Sequence, residues 1–193
     1  MGILMSILMP SLRKSRELAR RAVCLSNQKQ IYTASIIYCN DNNFIYPQRM
    51  PSRHWPFGHY NSTDSIPDGV TDEDEMLSLK TAGLNALVES ELITAYEVFY
   101  CPSSKWIKSS TYLPRIRPGS TENWFVHYSY WPGYKSALDV DEDIATTRLD
   151  NSDSDAMFMS DTIGSAGDYK SCHTSNGITA GGNIILNDGS AKW

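Results

Sequence analysis

The chain has 193 residues, enough to bury one proper core, or one domain plus an appendage. Aromatic residues make up 11% of it, with eleven tyrosines and five tryptophans, which favours a β-rich globular body over a helical bundle. The net charge of −5 argues against general nucleic-acid binding, which needs a basic footprint.

The first forty residues read as one long helix. Apolar or small residues recur at Leu8, Leu12, Ser15, Ala19, Ala22/Val23, Ser26, Ile31, Ala34 and Ile37/Tyr38, close to helical period. Pro10 inside this pattern predicts a kink or a boundary. "CNDNN" (39–43) predicts the end, because Asn and Asp compete with the helix for backbone hydrogen bonds. The opening run, with Ile3, Leu4, Ile7 and Leu8, is far shorter than the ~20 residues of a membrane span. It lacks the charged region and cleavage site of a secretory signal. An apolar run followed at once by an Arg-rich helix predicts the last part of a membrane-embedded helix whose earlier turns are missing. The alternative is an amphipathic helix lying against its own domain.

Charge is unevenly distributed. Arg13, Lys14, Arg16, Arg20, Arg21 and Lys29 face Glu17 alone, whereas "TDEDE" (71–75) and "DVDED" (139–143) are acidic. A basic segment on an acidic body suits a membrane surface or nucleic acid, or is a solvated helix face.

Residues 40–75 are rich in Pro, Asn, Asp and Gly and predict an irregular loop, with "FIYP" (44–47) as its apolar patch. A second helix is expected over 76–88, with Met76, Leu77, Leu84, Leu87 and Val88 on one side and Thr71 or Asp72 as cap. "YEVFYCP" (96–102), "WFVHYSYW" (124–131) and "DAMFMSD" (155–161) predict strands. "NIILNDGSAKW" (183–193) predicts a hairpin turning at Asp188-Gly189 with positive φ, and Ile184, Leu186 and Trp193 packed inward. The fold expected is α+β: a helix (1–40) whose carboxyl-terminal half packs on a small antiparallel sheet of four or five strands within a head (41–193).

The four cysteines, Cys24, Cys39, Cys101 and Cys172, form no CxxC pair and show no zinc-ligand spacing. Cys24 and Cys39 on one helix lie more than about 20 Å apart, beyond disulfide reach. The bridge expected first is Cys101–Cys172, because both flank predicted strands; free buried thiols are the alternative. No GxSxG occurs, and His54, His59, His127 and His173 stand in unrelated contexts, so no enzyme is expected. A periplasmic hydrolase would need two polar titratable groups converging in a cleft, and His173 far from every acid and nucleophile would remove that reading. "HTSNGITAGG" (173–182) predicts a long loop feeding the last strand, with His173 hydrogen bonding there. Asn183, Asn187 and Asp188 are expected to satisfy backbone groups. The aromatic stretch 124–134 would suit a surface-displayed module binding carbohydrate or another extracellular ligand, provided its rings are exposed.

Residues 3–47 carry a resemblance. Pro10, Leu12, Arg16, Glu17, Ala19, Arg20, Arg21, Cys24, Asn27, Lys29, Gln30, Tyr38, Asp41, Asn42 and Pro47 resemble the post-cleavage region of type II secretion pseudopilins and type IV pilin-like proteins. The planctomycete-type group is the nearest. "FYCPSS" (99–104), "HYSYW" (127–131), "SDTIG" (160–164) and the tail His173…Asp188-Gly189 resemble further signatures of that group. The Gly-Phe-Thr-Leu-Ile-Glu cleavage motif is absent. Fourteen residues separate His173 from Asp188, more than in the group, and Ser190 replaces its usual His.

The resemblance implies a structural subunit with prepilin-type processing and no catalysis. It would be anchored in the inner membrane by its first helix, with the head in the periplasm or at the cell surface. It implies partners in other pseudopilins and secretion-system components, and none in nucleic acid. Ile3, Leu4, Ile7, Leu8, Arg13, Arg16, Glu17, Arg20 and Arg21 would make the membrane and assembly contacts. Glu17 would pair with Arg13, Arg20 or Arg21 at helical spacing, and the arginines would meet lipid phosphates or acidic partners. Asp139, Asp141, Asp143 and Asp150 have part of the spacing of a calcium loop, but Ile144 replaces the required Gly and Asp150 the usual Glu. That argues against an EF-hand. A looser Ca²⁺ site there is implied by the calcium loop of major pseudopilins; no other cofactor is expected.

Overall fold

The computed structural model describes residues 2–47, 83–104, 109–120, 124, 126–134, 149, 153–161, 172–175, 178–179 and 181–193. Helix α1 spans Gly2–Asp41 and runs through Pro10. It ends where the sequence predicts. Asn42 donates its side-chain amide to the Tyr38 carbonyl at 2.8 Å, and the Phe44 N–H reaches the Cys39 carbonyl at 2.8 Å. Asn43 (φ 55°) and Phe44 (φ 61°) then turn the chain out of the helix.

Four strands form an antiparallel sheet in the order β1-β2-β5-β6: β1 Tyr128–Tyr134, β2 Met157–Asp161, β5 Ile184–Leu186 and β6 Ala191–Lys192. Thr174–Ser175 (β3) and Ile178–Thr179 (β4) pair as a separate small ribbon. The protein is therefore α+β, a long amino-terminal helix with its carboxyl-terminal half laid against a small sheet.

The helix seam that enters the core is Cys24, Gln28, Ile31, Ala34, Ser35 and Cys39, all buried. This corrects the stripe read from hydrophobicity, since Leu12, Val23 and Ile37 are exposed while Gln28 and Ser35 are inside. The Ser35 hydroxyl and the Gln28 amide nitrogen both find acceptors, while Gln28 Oε1 has no hydrogen-bond partner among the described residues. Ser35 donates to the Ile31 carbonyl at 2.9 Å, and Gln28 donates to Asp161 at 2.8 Å. Phe158 of β2 is the hub. Its ring sits 5.0 Å from Tyr32, 5.3 Å from Tyr130 and 5.6 Å from Tyr46. Burying such a side chain contributes about 1.5–3 kcal/mol, and the edge-on aromatic pairs add to it.

Other expectations change. Residues 96–102 are not a strand: Tyr96–Phe99 is a 3₁₀ turn that buries Val98 and Phe99 together, which an alternating strand could not do. Tyr100 then extends the chain and delivers Cys101 to α1. Within 124–131 the strand starts only at Tyr128 and continues to Tyr134. Of the second helix, α2 at Asn85–Glu89 is described, with Leu84, Leu87 and Val88 buried; residues 71–82 lie outside the described residues. A last turn, α3 (Ser109–Tyr112), precedes a 3₁₀ turn at Leu113–Arg115.

In the final hairpin the Gly189 N–H bonds the Leu186 carbonyl at 2.9 Å and the Leu186 N–H bonds the Ser190 carbonyl at 3.0 Å. Only Gly189 takes positive φ, at 78°. The loop is thus a three-residue turn closed by a glycine bulge rather than a two-residue turn. Ile185 and Leu186 are buried, so both faces of β5 are covered there, whereas Ile184 at its start is half-buried and Trp193 is half-exposed.

Candidate functional site

Glu17, Arg21, Cys24 and Gln28 follow one another at spacings of four, three and four, which lines them along one face of α1. Each meets a different part of the head. Cys24 is disulfide-bonded to Cys101, with Cα atoms 5.2 Å apart. Gln28 holds Asp161 at the end of β2. Glu17 faces His173, and Arg21 stacks on Trp193, its guanidinium carbon 3.9 Å from the ring centroid.

The disulfide corrects the expected Cys101–Cys172 bridge. Helical spacing excludes Cys24–Cys39 and nothing more, and the 3₁₀ turn at Tyr96–Phe99 brings Cys101 to the helix rather than to Cys172. Cys172 is a buried thiol that donates to the His127 carbonyl at 3.1 Å. Cys39 is also a buried thiol, and burial pushes its pKa up to about 12. The Cys101 N–H bonds His127 Nδ1 at 3.0 Å, so this ring carries its neutral-form proton on Nε2 and the approach of Cys101 is fixed.

His173 lies at the centre. Its Nδ1 is 2.8 Å from Glu17 Oε1 and its Nε2 is 3.2 Å from Asp161 Oδ2. Burial alone pushes its pKa down. The hydrogen bond and charge of Asp161, then those of Glu17, outweigh that and leave the pKa raised above its ordinary value. With both ring nitrogens facing carboxylates, the protonated ring can donate to both. Asp161 is held further by the Asn183 N–H and side-chain amide on Oδ2, at 2.7 and 3.0 Å. Asn183 also donates to the Arg21 carbonyl at 3.2 Å. Ser103 donates to both Glu17 oxygens, at 3.1 and 3.3 Å, and Arg21 Nε lies 3.7 Å from Glu17 Oε1. Glu17, Arg21, Asp161 and His173 thus meet at one junction of helix, sheet and tail, with Asp161 and His173 buried and Glu17 and Arg21 at its partly exposed edge.

This arrangement fastens α1 to the head. Cys101 sulfur is covalently committed, His173 is occupied by two acids, and His173 is 1% exposed. Two clefts flank α1, one lined by Ala22, Leu25, Lys29, Leu92 and Val98, the other by Val23, Asn27, Tyr100, Cys101 and His127. Glu17, Asp161 and His173 line neither.

The sequence-derived sites divide clearly. Glu17 pairs with Arg21 as helical spacing allows, and it also turns into the head. Arg13, Arg16 and Arg20 stay exposed on α1. Ile3, Leu4, Ile7 and Leu8 lie within the helix. Asp188 accepts the Ser190 N–H at 2.7 Å and Asn187 donates to the Asp153 carbonyl at 3.0 Å, so both serve the turn. Asp139, Asp141, Asp143 and Asp150 lie outside the described residues. The condition for a sugar-binding aromatic face is not met among the described residues: Trp124, Tyr128 and Tyr130 are buried. Asp161 and Gln28 went unread as site residues. The 4-3-4 spacing of polar and sulfur side chains on α1 is the signal that could have found Gln28.

No helix among the described residues is long and apolar enough to cross a membrane. No protein-family model, curated protein or solved structure matches the chain.

Proposed function

We infer that the chain is a structural, non-catalytic subunit of a pseudopilin-like kind. It would be anchored at the inner membrane through its amino-terminal helix and assembled with similar subunits in a type II secretion or type IV pilus-like system. The observation that carries this reading is the division of α1. From Cys24 onward its seam is sunk in the head, whereas Met9, Leu12, Leu18 and Val23 stand exposed, Leu12 at 63%. Large apolar side chains on an exposed helix favour burial against other helices. The interspersed Arg13, Lys14, Arg16 and Arg20 suit acidic partners or lipid phosphates at the membrane surface.

The buried junction supports the same reading. A subunit pulled or packed by its helix must pass force to its head. Here the disulfide, the Glu17–His173–Asp161 bonds and the Asn183 contact tie the helix to both the middle and the end of the chain.

The test is a photo-crosslinking amino acid placed at Leu12 or Leu18 in native cells, with Arg115 on the head as control position. Adducts at multiples of the subunit mass, or with other pilin-type helices, are expected from α1 and not from Arg115. Equal labelling from both, or none from α1, contradicts the reading.

A further inference from the structure

The disulfide junction has the composition and shape of a metal centre. Cys24, Cys101, Asp161 and His173 are all buried, and one ligand atom from each lies within 4.8 Å of the others. We propose that these four residues form a site for a zinc-type divalent ion when the Cys24–Cys101 bond is reduced, so that a disulfide and a metal ion are alternative fasteners of α1 to the head.

The geometry carries this. A tetrahedral zinc ion takes sulfur at about 2.3 Å and nitrogen or oxygen at about 2.0 Å, so the edges of its coordination tetrahedron are about 3.3 Å between N and O and about 3.5 Å between N and S. His173 Nε2 is already 3.2 Å from Asp161 Oδ2 and 3.7 Å from Cys101 Sγ. The sulfur-to-sulfur edge must lengthen, and breaking the bond allows it; the three remaining edges lie within 4.8 Å.

The surroundings fit as well. A metal-binding histidine normally gives its other N–H to a carboxylate, which fixes the tautomer. Glu17 Oε1 stands at Nδ1, leaving Nε2 for the ion. The metal-binding carboxylate is normally held by hydrogen bonds in turn. Gln28 and Asn183 do this for Asp161. A divalent cation beside Asp161 would offset the two thiolates that reduction of the bond allows. Soft thiolates with one imidazole favour zinc over calcium or magnesium.

The chemistry balances with a tertiary phosphine as reductant. The S–S bond breaks, phosphorus takes oxygen from water and is oxidised, and the two water protons go to the sulfurs. The incoming ion then displaces both thiol protons and the proton on His173 Nε2.

The test uses the full chain, reduced with the phosphine without oxygen and titrated with Co²⁺ and then Zn²⁺. One ion per reduced chain is expected, with thiolate-to-cobalt charge transfer and the absorption of tetrahedral cobalt, and none with the oxidised chain. Cys39→Ser/Cys172→Ser should leave this unchanged. Cys24→Ser/Cys101→Ser should abolish the charge transfer, and Glu17→Gln should weaken binding by about ten- to a hundredfold. Circular dichroism on each sample shows whether the fold is kept. Absence of tetrahedral cobalt in the reduced chain, whether folded or unfolded, overturns the proposal. So does loss of the signal in Cys39→Ser/Cys172→Ser, or its survival in Cys24→Ser/Cys101→Ser.

Discussion

Glu17 and His173 stand 156 residues apart in the chain, yet Glu17 Oε1 and His173 Nδ1 meet at 2.8 Å. The contact joins the exposed part of α1 to the tail of the head. On its far side the same ring reaches Asp161 at 3.2 Å, so one imidazole ring bridges helix and sheet.

The bridge predicts a pH dependence of the oxidised protein. The charged groups facing His173 are Glu17 from α1 and Asp161 from β2, and Arg21 reaches Glu17 rather than the ring. The folded-state pKa of His173 is raised above its unfolded value of about 6.5. A raised pKa gives stability that is fully present below about pH 6.5 and is lost as pH climbs through the folded pKa. Urea midpoints of wild type and His173→Gln should therefore converge as pH rises from about 6.5. A gap that stays constant would show that His173 acts by shape alone.

The disulfide encloses a long loop, with 77 residues of sequence separation. In the chain-entropy account such a link is worth about 4.5 kcal/mol. Cys24→Ser should lower the unfolding free energy measured in urea by an amount of that order, and Cys172→Ser by clearly less. Peptide mapping under non-reducing conditions should find the Cys24 and Cys101 peptides linked, and Cys172 alkylated once the chain is unfolded.

Phe158 is fully buried among Tyr32, Tyr46 and Tyr130. Phe158→Ala should cost about 3–5 kcal/mol through lost burial and the cavity left behind. Chemical denaturation measures it directly, and a loss below about 1 kcal/mol would mean that α1 is not seated on β2 as described.

At the last turn, a Cβ on Gly189 would lie 2.9 Å from Tyr32 Cε1, and φ there is +78°. Tyr32 cannot easily withdraw, because its hydroxyl donates to the Asn187 carbonyl at 2.7 Å. Gly189→Val should lower the melting temperature by more than Asp188→Ala, which loses one exposed hydrogen bond to Ser190. Equal melts for wild type and both variants would contradict this.

What the sequence revealed follows from the range of the forces involved. Helical period exposed α1, the "CNDNN" run its end, "DAMFMSD" a strand, and Asp-Gly the final turn. These are local preferences. Pattern reading failed where a distant partner decides. Gln28 looks like a surface residue and is buried because Asp161 needs its amide. Val98 and Phe99 suggest a strand, but both turn inward on a 3₁₀ turn. Cys101 joins Cys24, and no local pattern encodes that pairing. His173 was expected to hydrogen bond near the last hairpin. It does pack edge-on to Trp193, at 5.3 Å between centroids, and its two acids come from other elements.

The assembly reading is tested most directly by cryo-electron microscopy of filaments purified from native cells. The account predicts α1 helices bundled along the filament axis, with Met9, Leu12 and Leu18 packed against neighbouring helices and the heads outside. Filaments that lack this chain, or that contain it with α1 facing solvent, would contradict it.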